Sequence, residues 1–120
     1  MPVRSLHSSV HKWPDRRTVD RSARRWARQL QATHPELRRV GYFGSYARGD
    51  WGVGSDLDLV VLVEASELPF YRRATEFHSE GLPVPAEVLV YTVGEWEARE
   101  ESNFLRPIAQ EVIWVLGSDP

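Results

Sequence analysis

The chain contains no cysteine, which excludes disulfides, thiol nucleophiles and thiolate metal sites, so any metal it holds must sit on oxygen or imidazole. Long apolar runs are missing too. No stretch approaches the roughly 20 residues a membrane span needs, and the basic N-terminus lacks the apolar segment and small-residue site of a secretory leader. The expectation is a cytoplasmic protein with no membrane association. Lysine is almost absent, Lys12 being the only one, so positive charge is carried by arginine, which suits bidentate pairing with phosphate or carboxylate. No internal repeat or low-complexity tract is present.

At 120 residues, 42% of them hydrophobic, the chain can build one core but not two, since domains usually run to about 100 residues or more. Residues 1–17 show no clean period and are expected to be an extension ordered only by contacts, with a single domain over residues 18–120. The net charge of -2 hides a division. Residues 1–39 hold ten basic and three acidic side chains, residues 40–120 five and fourteen.

Thr18 is a plausible helix cap, and after it Val19, Ala23, Trp26, Ala27 and Leu30 repeat at helical spacing, with Arg21, Arg25 and Arg28 on another face. The helix is expected to end near His34 and Pro35. Residues 40–43 read as a short strand running into Gly44 and Ser45, and residues 57–63 as an apolar strand. Residues 69–79 carry Phe70, Ala74 and Phe77 at helical spacing, and 86–91 form a valine-rich run. Residues 94–101 and 104–110 read as short helices and 112–116 as a β-branched closing strand. The order α-β-β-α-β-α-β fits an α/β (α+β) fold, a mixed β-sheet flanked by helices.

The chemistry concentrates between Gly44 and Leu59. Asp56 and Asp58 are two apart at the start of a strand, so their side chains leave the same face, about 6.5–7 Å apart along the backbone. Two such carboxylates repel unless a cation lies between them, and hard oxygen ligands suit Mg²⁺ or Mn²⁺. Upstream, the Gly44-Ser45 turn between a strand and a helical turn would aim backbone N–H groups and the Ser45 hydroxyl at an anion, phosphate being the natural guest. Alone, a Gly-Ser turn or an aspartate pair is commonplace. Together, with ten residues between Ser45 and Asp56, they are far more specific.

That pattern, with Arg48-Gly49 inside it and Ser55 before the first aspartate, resembles the polymerase-β-like nucleotidyltransferase superfamily, and its spacing resembles the minimal nucleotidyltransferases. The likeness runs from about residue 40 to 116 and implies that family's fold. Its third carboxylate, usually an aspartate in a later apolar strand, falls at Glu87, a departure that places the ligand one methylene further out. An acid within an apolar strand needs a partner, which favours a site role over an edge-strand glutamate facing water. Glu95 is the next candidate.

The resemblance implies ATP as substrate and two Mg²⁺ ions, with Mn²⁺ as the alternative: one on Asp56 and Asp58 gripping the triphosphate, the other shared with Glu87 and activating an acceptor hydroxyl. Gly44 and Ser45 would cradle the β- and γ-phosphates. Arg48 would reach the triphosphate or, equally, pair with Asp50 or Asp56 to brace the loop. Trp51 would stack on a ligand or merely pack. Four scattered histidines, His7, His11, His34 and His78, are expected at the surface. Relatives of this size are paired with a small helical HEPN-type protein, which implies AMP transfer to a tyrosine of a toxin and an antitoxin role. Two other readings are a non-catalytic nucleotide-binding antitoxin and an aminoglycoside-type small-molecule transferase, the latter completed by a homo-oligomer or partner subunit. The arginine face of the first helix is expected to dock an acidic protein surface; nucleic acid is the less favoured guest, because no aromatics interleave with the arginines.

Overall fold

The computed structural model describes residues 13–117; His7, His11, Lys12 and most of the expected extension lie outside them. Helix α1 spans Arg16–Thr33. Its cap is Asp15 rather than Thr18: the Asp15 carboxylate accepts the Thr18 N–H at 2.9 Å, satisfying an orphan donor at the positive end of the helix dipole. The hydrogen bonds to Thr18 hold the Asp15 carboxyl below its usual range. The five apolar residues at helical spacing are the buried face of the helix.

The chain continues through β1 (Leu37–Phe43), the one-turn helix α2 (Ser45–Arg48), β2 (Leu57–Val63), α3 (Phe70–Arg73) with a 3₁₀ turn (Ala74–Glu76), and β3 (Ala86–Thr92). It closes with α4 (Val93–Glu97) and a second 3₁₀ turn (Arg99–Glu101), then α5 (Leu105–Glu111) and β4 (Ile113–Leu116). The helix expected over 69–79 is cut short. Arg73 turns inward and donates to the carbonyls of Leu68 at 3.0 Å and Val90 at 3.2 Å, and the last turn tightens onto an i to i+3 bond from Phe77 N–H to Ala74 O. Likewise the helix expected over 94–101 breaks at Ala98, although its start is well fixed by a reciprocal capping box between Thr92 and Glu95.

The four strands form one sheet in the order β3-β2-β1-β4. β1 runs antiparallel to β2 and β4, and β2 parallel to β3, the parallel pair being joined by a crossover over residues 64–85. Strand β2 is central, and residues 59 to 63 are all buried because both faces are covered. On one face Leu59, Val61 and Val63 meet Val19, Trp26 and Leu30 of α1. On the other Val60 and Leu62 meet Trp96 of α4 and Leu105 and Ile108 of α5. Burying each such large side chain stabilises the fold by about 1.5–3 kcal/mol.

Polar ties fix α1 in place: the Trp26 indole donates to His78 O at 2.7 Å, and the Tyr42 hydroxyl donates to Asp20 at 2.8 Å. Gly41 lets β4 approach, since a Cβ there would meet the Val112 side chain at 2.6 Å. Among the described residues no helix is long and apolar enough to cross a membrane.

Candidate functional site

At one end of the sheet β1 leaves while β2, β3 and β4 enter. Register places Phe43 opposite Asp58, Asp58 opposite Glu87, and Tyr42 opposite Ile113. Neighbouring strands lie about 4.8 Å apart, so pairing alone brings Asp58 and Glu87 side by side. Alternation puts both on the face that carries Val60, Leu62 and Tyr91 further along. Asp56, just before the strand, shares that parity.

Asp58 is half-buried while Asp56 and Glu87 are exposed. Burial pushes the Asp58 carboxyl above its usual range; the charges of Glu87, Asp56 and Glu111 push the same way, with Arg48 opposing. This is negative charge gathered with too little to balance it. Among the described residues no three His, Asp or Glu side chains close on a point that could hold a metal. The donor set is nonetheless of the right chemistry for a hard divalent cation, being three carboxylates on one face. Two of them are exposed and free to turn towards the third.

Glu87 is not the buried acid its apolar strand suggests. β3 is an edge strand and Glu87 is exposed, so burial does not oblige it to find a partner; what commends it is the register with Asp58. Glu95, the other expected candidate, is committed elsewhere. It follows the far end of β3, where it pairs with Arg73 at 2.7 Å and caps α4, and these bonds hold its carboxyl below the usual range.

Between β1 and β2 lies the loop that carries Gly44 and Ser45. Gly44 has φ 79° and ψ -153°, a conformation essentially restricted to glycine, and the Asp58 carboxylate sits where a Cβ would be. The Gly44 N–H donates to Glu111 Oε1 at 3.0 Å. Half-buried Ser45 opens α2. Arg48 pairs with Asp50 at 3.2 Å and with Glu111 at 3.4 Å, the bracing arrangement, although with Glu111 in place of Asp56. Hydrogen bonds to Asp50 and Glu111 raise the pKa of the guanidinium still further.

Trp51 packs rather than standing free: its ring stacks on Tyr46 with centroids 5.5 Å apart and planes 12° from parallel. Ser55 accepts the Gly52 N–H at 2.8 Å and tightens the turn before Asp56. Of the histidines, His34 lies against Phe77 and Glu36 and His78 is exposed. Neither approaches the loop in the contacts seen.

Glu111 was not among the expected site residues. It stands at the end of α5 and arrives 63 residues after Arg48 along the chain. No local motif marks it; only the docking of α5 onto the sheet delivers it.

A mixed sheet flanked by helices, with paired acids at one end beside a Gly-Ser turn, defines an α/β fold with a polar site at its strand ends. The profile of the family described as a nucleotidyltransferase domain matches residues 23–113. The chain belongs to this nucleotidyltransferase family. A solved Sulfolobus solfataricus protein, described as a candidate nucleotidyltransferase, superposes with a TM-score of 0.62 at 20% identity, over 82% of this chain and 80% of that one. A toxin–antitoxin structure with AMP-PNP superposes with a TM-score of 0.52, also at 20% identity, over 77% of this chain and 70% of that one. At such identities the likeness bears on the fold. No match was found among curated proteins.

Proposed function

We propose that this chain is a metal-dependent nucleotidyltransferase that moves AMP from ATP onto a hydroxyl of a protein partner, and that it serves as the antitoxin of a toxin–antitoxin pair. The observation that carries the chemical part is the register of Asp58 with Glu87 beside Gly44 and Ser45. The family supports transfer. The toxin–antitoxin assembly of similar fold, seen with AMP-PNP, supports the choice of nucleotide and partner, with a small HEPN-type helical protein as the expected toxin and a tyrosine as acceptor.

Asp56, Asp58 and Glu87 would hold the divalent ions, two Mg²⁺ or Mn²⁺, which when bound supply charge neutralisation of the triphosphate and a lowered pKa for the acceptor hydroxyl. Asp58 is the fixed donor, because strand pairing and burial hold it. Glu87, exposed beside it, would take the hydroxyl proton, since among the described residues no histidine contacts the loop. Ser45 would meet the triphosphate, and Arg48, braced by Asp50 and Glu111, would add positive charge beside it. Pyrophosphate leaves as the new phosphoester forms.

Exposure of Glu87 on an edge strand favours a second reading, a nucleotide-binding antitoxin that neutralises its partner by contact without turnover. The two separate on one series. In a catalyst, Glu87→Gln should lose about 10²-fold or more in transfer yet keep nucleotide binding, with Glu87→Asp retaining part of the rate. Radiolabel transfer measured beside ATP-analogue titration checks this, and Glu87→Ala turning over at the wild-type rate would remove Glu87 from the chemistry.

The partner surface is assigned to α1. Arg21, Arg25 and Arg28 are exposed there, on the face away from the sheet, whereas nearby Arg24 is paired with Asp20 at 2.6 Å. Reversing all three to glutamate should slow association with the toxin about 10-fold or more at low salt, and less at high salt. Stopped-flow association at two ionic strengths measures it. Undiminished association would place the interface elsewhere, and salt-sensitive RNA binding by the wild-type chain would favour nucleic acid as the guest.

A further inference from the structure

We propose that Glu111 and Arg16, both outside the Gly-Ser and Asp-x-Asp motif, are positioning residues that clamp α2 from its two ends and so set the geometry in which the loop receives a triphosphate. The inference rests on the nucleotide-binding reading above.

Helix α2 has four residues and no side-chain cap at its start, far below the length at which a helix holds its own shape. Its backbone groups show what holds it instead. Gly44 O accepts from Arg48 N–H at 3.0 Å, and Ser45 O accepts from Gly49 and Asp50 N–H at 2.9 and 3.1 Å. The carbonyls of Tyr46 and Ala47 have no helical donor left. Both are taken by one guanidinium, Arg16 Nε to Tyr46 O at 2.9 Å and Arg16 Nη2 to Ala47 O at 3.1 Å. At the opposite end the Gly44 N–H is taken by the Glu111 carboxylate at 3.0 Å.

The signs are those a helix prefers, an anion at its N-terminus and a cation at its C-terminus. Each clamp also does a second task. Glu111 draws Arg48 Nη1 to within 3.4 Å of both its oxygens, too long for a tight hydrogen bond but close for an ion pair. Arg16 packs beneath the turn, where a Cβ on Gly49 would meet its Nη2 at 3.0 Å. Tyr46, fully buried, anchors the middle and donates its hydroxyl to Pro14 O at 2.8 Å. With the Gly44 N–H directed at Glu111, the loop's contribution to the β- and γ-phosphates falls to Ser45 and the groups that follow it.

Binding of AMP-PNP with Mg²⁺ to the full chain, compared with binding of AMP, tests the clamp. Only the first ligand carries the phosphates the loop would meet. Wild type should bind AMP-PNP, and Glu111→Ala or Arg16→Gln should weaken that binding about 10-fold or more while leaving AMP affinity near wild type. Glu111→Gln keeps an acceptor for the Gly44 N–H but loses the charge that holds Arg48, so it should fall between. Thermal melts without nucleotide report whether each variant folds, and isosteric Glu111→Gln keeps the test open if Glu111→Ala does not. Wild-type AMP-PNP affinity in both Glu111→Gln and Arg16→Gln, or an equal loss for AMP-PNP and AMP, overturns the clamp and leaves the nucleotide reading standing. Failure of wild type to bind AMP-PNP overturns both.

Discussion

Replacing Asp58 by asparagine is expected to cost nucleotide transfer a factor of about 10²–10³ or more while leaving the metal-free fold as stable as before or slightly more so. The two effects have one cause. Asp58 is held by strand pairing on both sides and half-buried, and its carboxyl is pushed above the usual range first by burial and then by Glu87 and Asp56. A carboxyl raised in this way binds its proton more tightly in the folded chain than in the unfolded one. Its ionised form therefore weighs against the fold at neutral pH, and that burden lifts as the pH falls through the raised value towards the ordinary carboxylate range, about 3.9 for aspartate. Asparagine removes the burden at every pH.

Melts without metal should show the Asp58→Asn midpoint a few degrees higher at most near neutral pH, with the gap closing on acidification, because partial exposure screens much of the repulsion. Asp56→Asn should abolish transfer likewise, with a smaller stability gain because Asp56 is exposed. A variant of either aspartate that still transferred nucleotide at the wild-type rate would sink the two-ion reading.

Gly44→Ala is expected to be the most damaging single change in the loop, destabilising by about 1–3 kcal/mol from backbone conformation alone and more from collision with the Asp58 carboxylate. Relief of that collision would have to move either Asp58 or the Glu111 bond to Gly44 N–H, so binding and transfer should fall with stability. Gly52→Ala supplies the control. A Cβ there meets nothing within 4 Å, and its effect should stay within about 0.5 kcal/mol, as for ordinary surface changes. Urea unfolding of the two variants compares them directly, and equal effects would mean that the Gly44 conformation carries no special constraint.

Asp56, Asp58, Gly44 and Ser45 stand within one short segment, and the strand period and turn chemistry that order them are local. Strand β2 was readable to the residue because a strand covered on both faces must be apolar throughout. Glu87 stands out in the sequence only as an acid in a valine-rich run, and on an edge strand such an acid is not buried. Its value comes from parallel pairing with Asp58, a register that no local pattern encodes.

Glu111 and Arg16 were out of reach for the same reason. One comes 63 residues after Arg48 and the other 30 before Tyr46, and each matters through where its element docks. The shortened α3 shows the reverse failure. Phe70, Ala74 and Phe77 have helical spacing, yet Phe70 is 42% exposed and the inward turn of Arg73 decides the local structure. Tertiary demand there overrides a local period.

The central claim is nucleotidyl transfer, and label position in ATP tests it most directly. The chain, a purified HEPN-type helical protein as the proposed toxin partner and Mg²⁺ are incubated in parallel with ATP labelled at the α- or the γ-phosphate. Transfer of AMP predicts label on the partner from α-labelled ATP only, release of pyrophosphate, and loss of both on chelation or in Asp58→Asn. Label arriving from the γ-phosphate, or α-label that persists without metal, would contradict it.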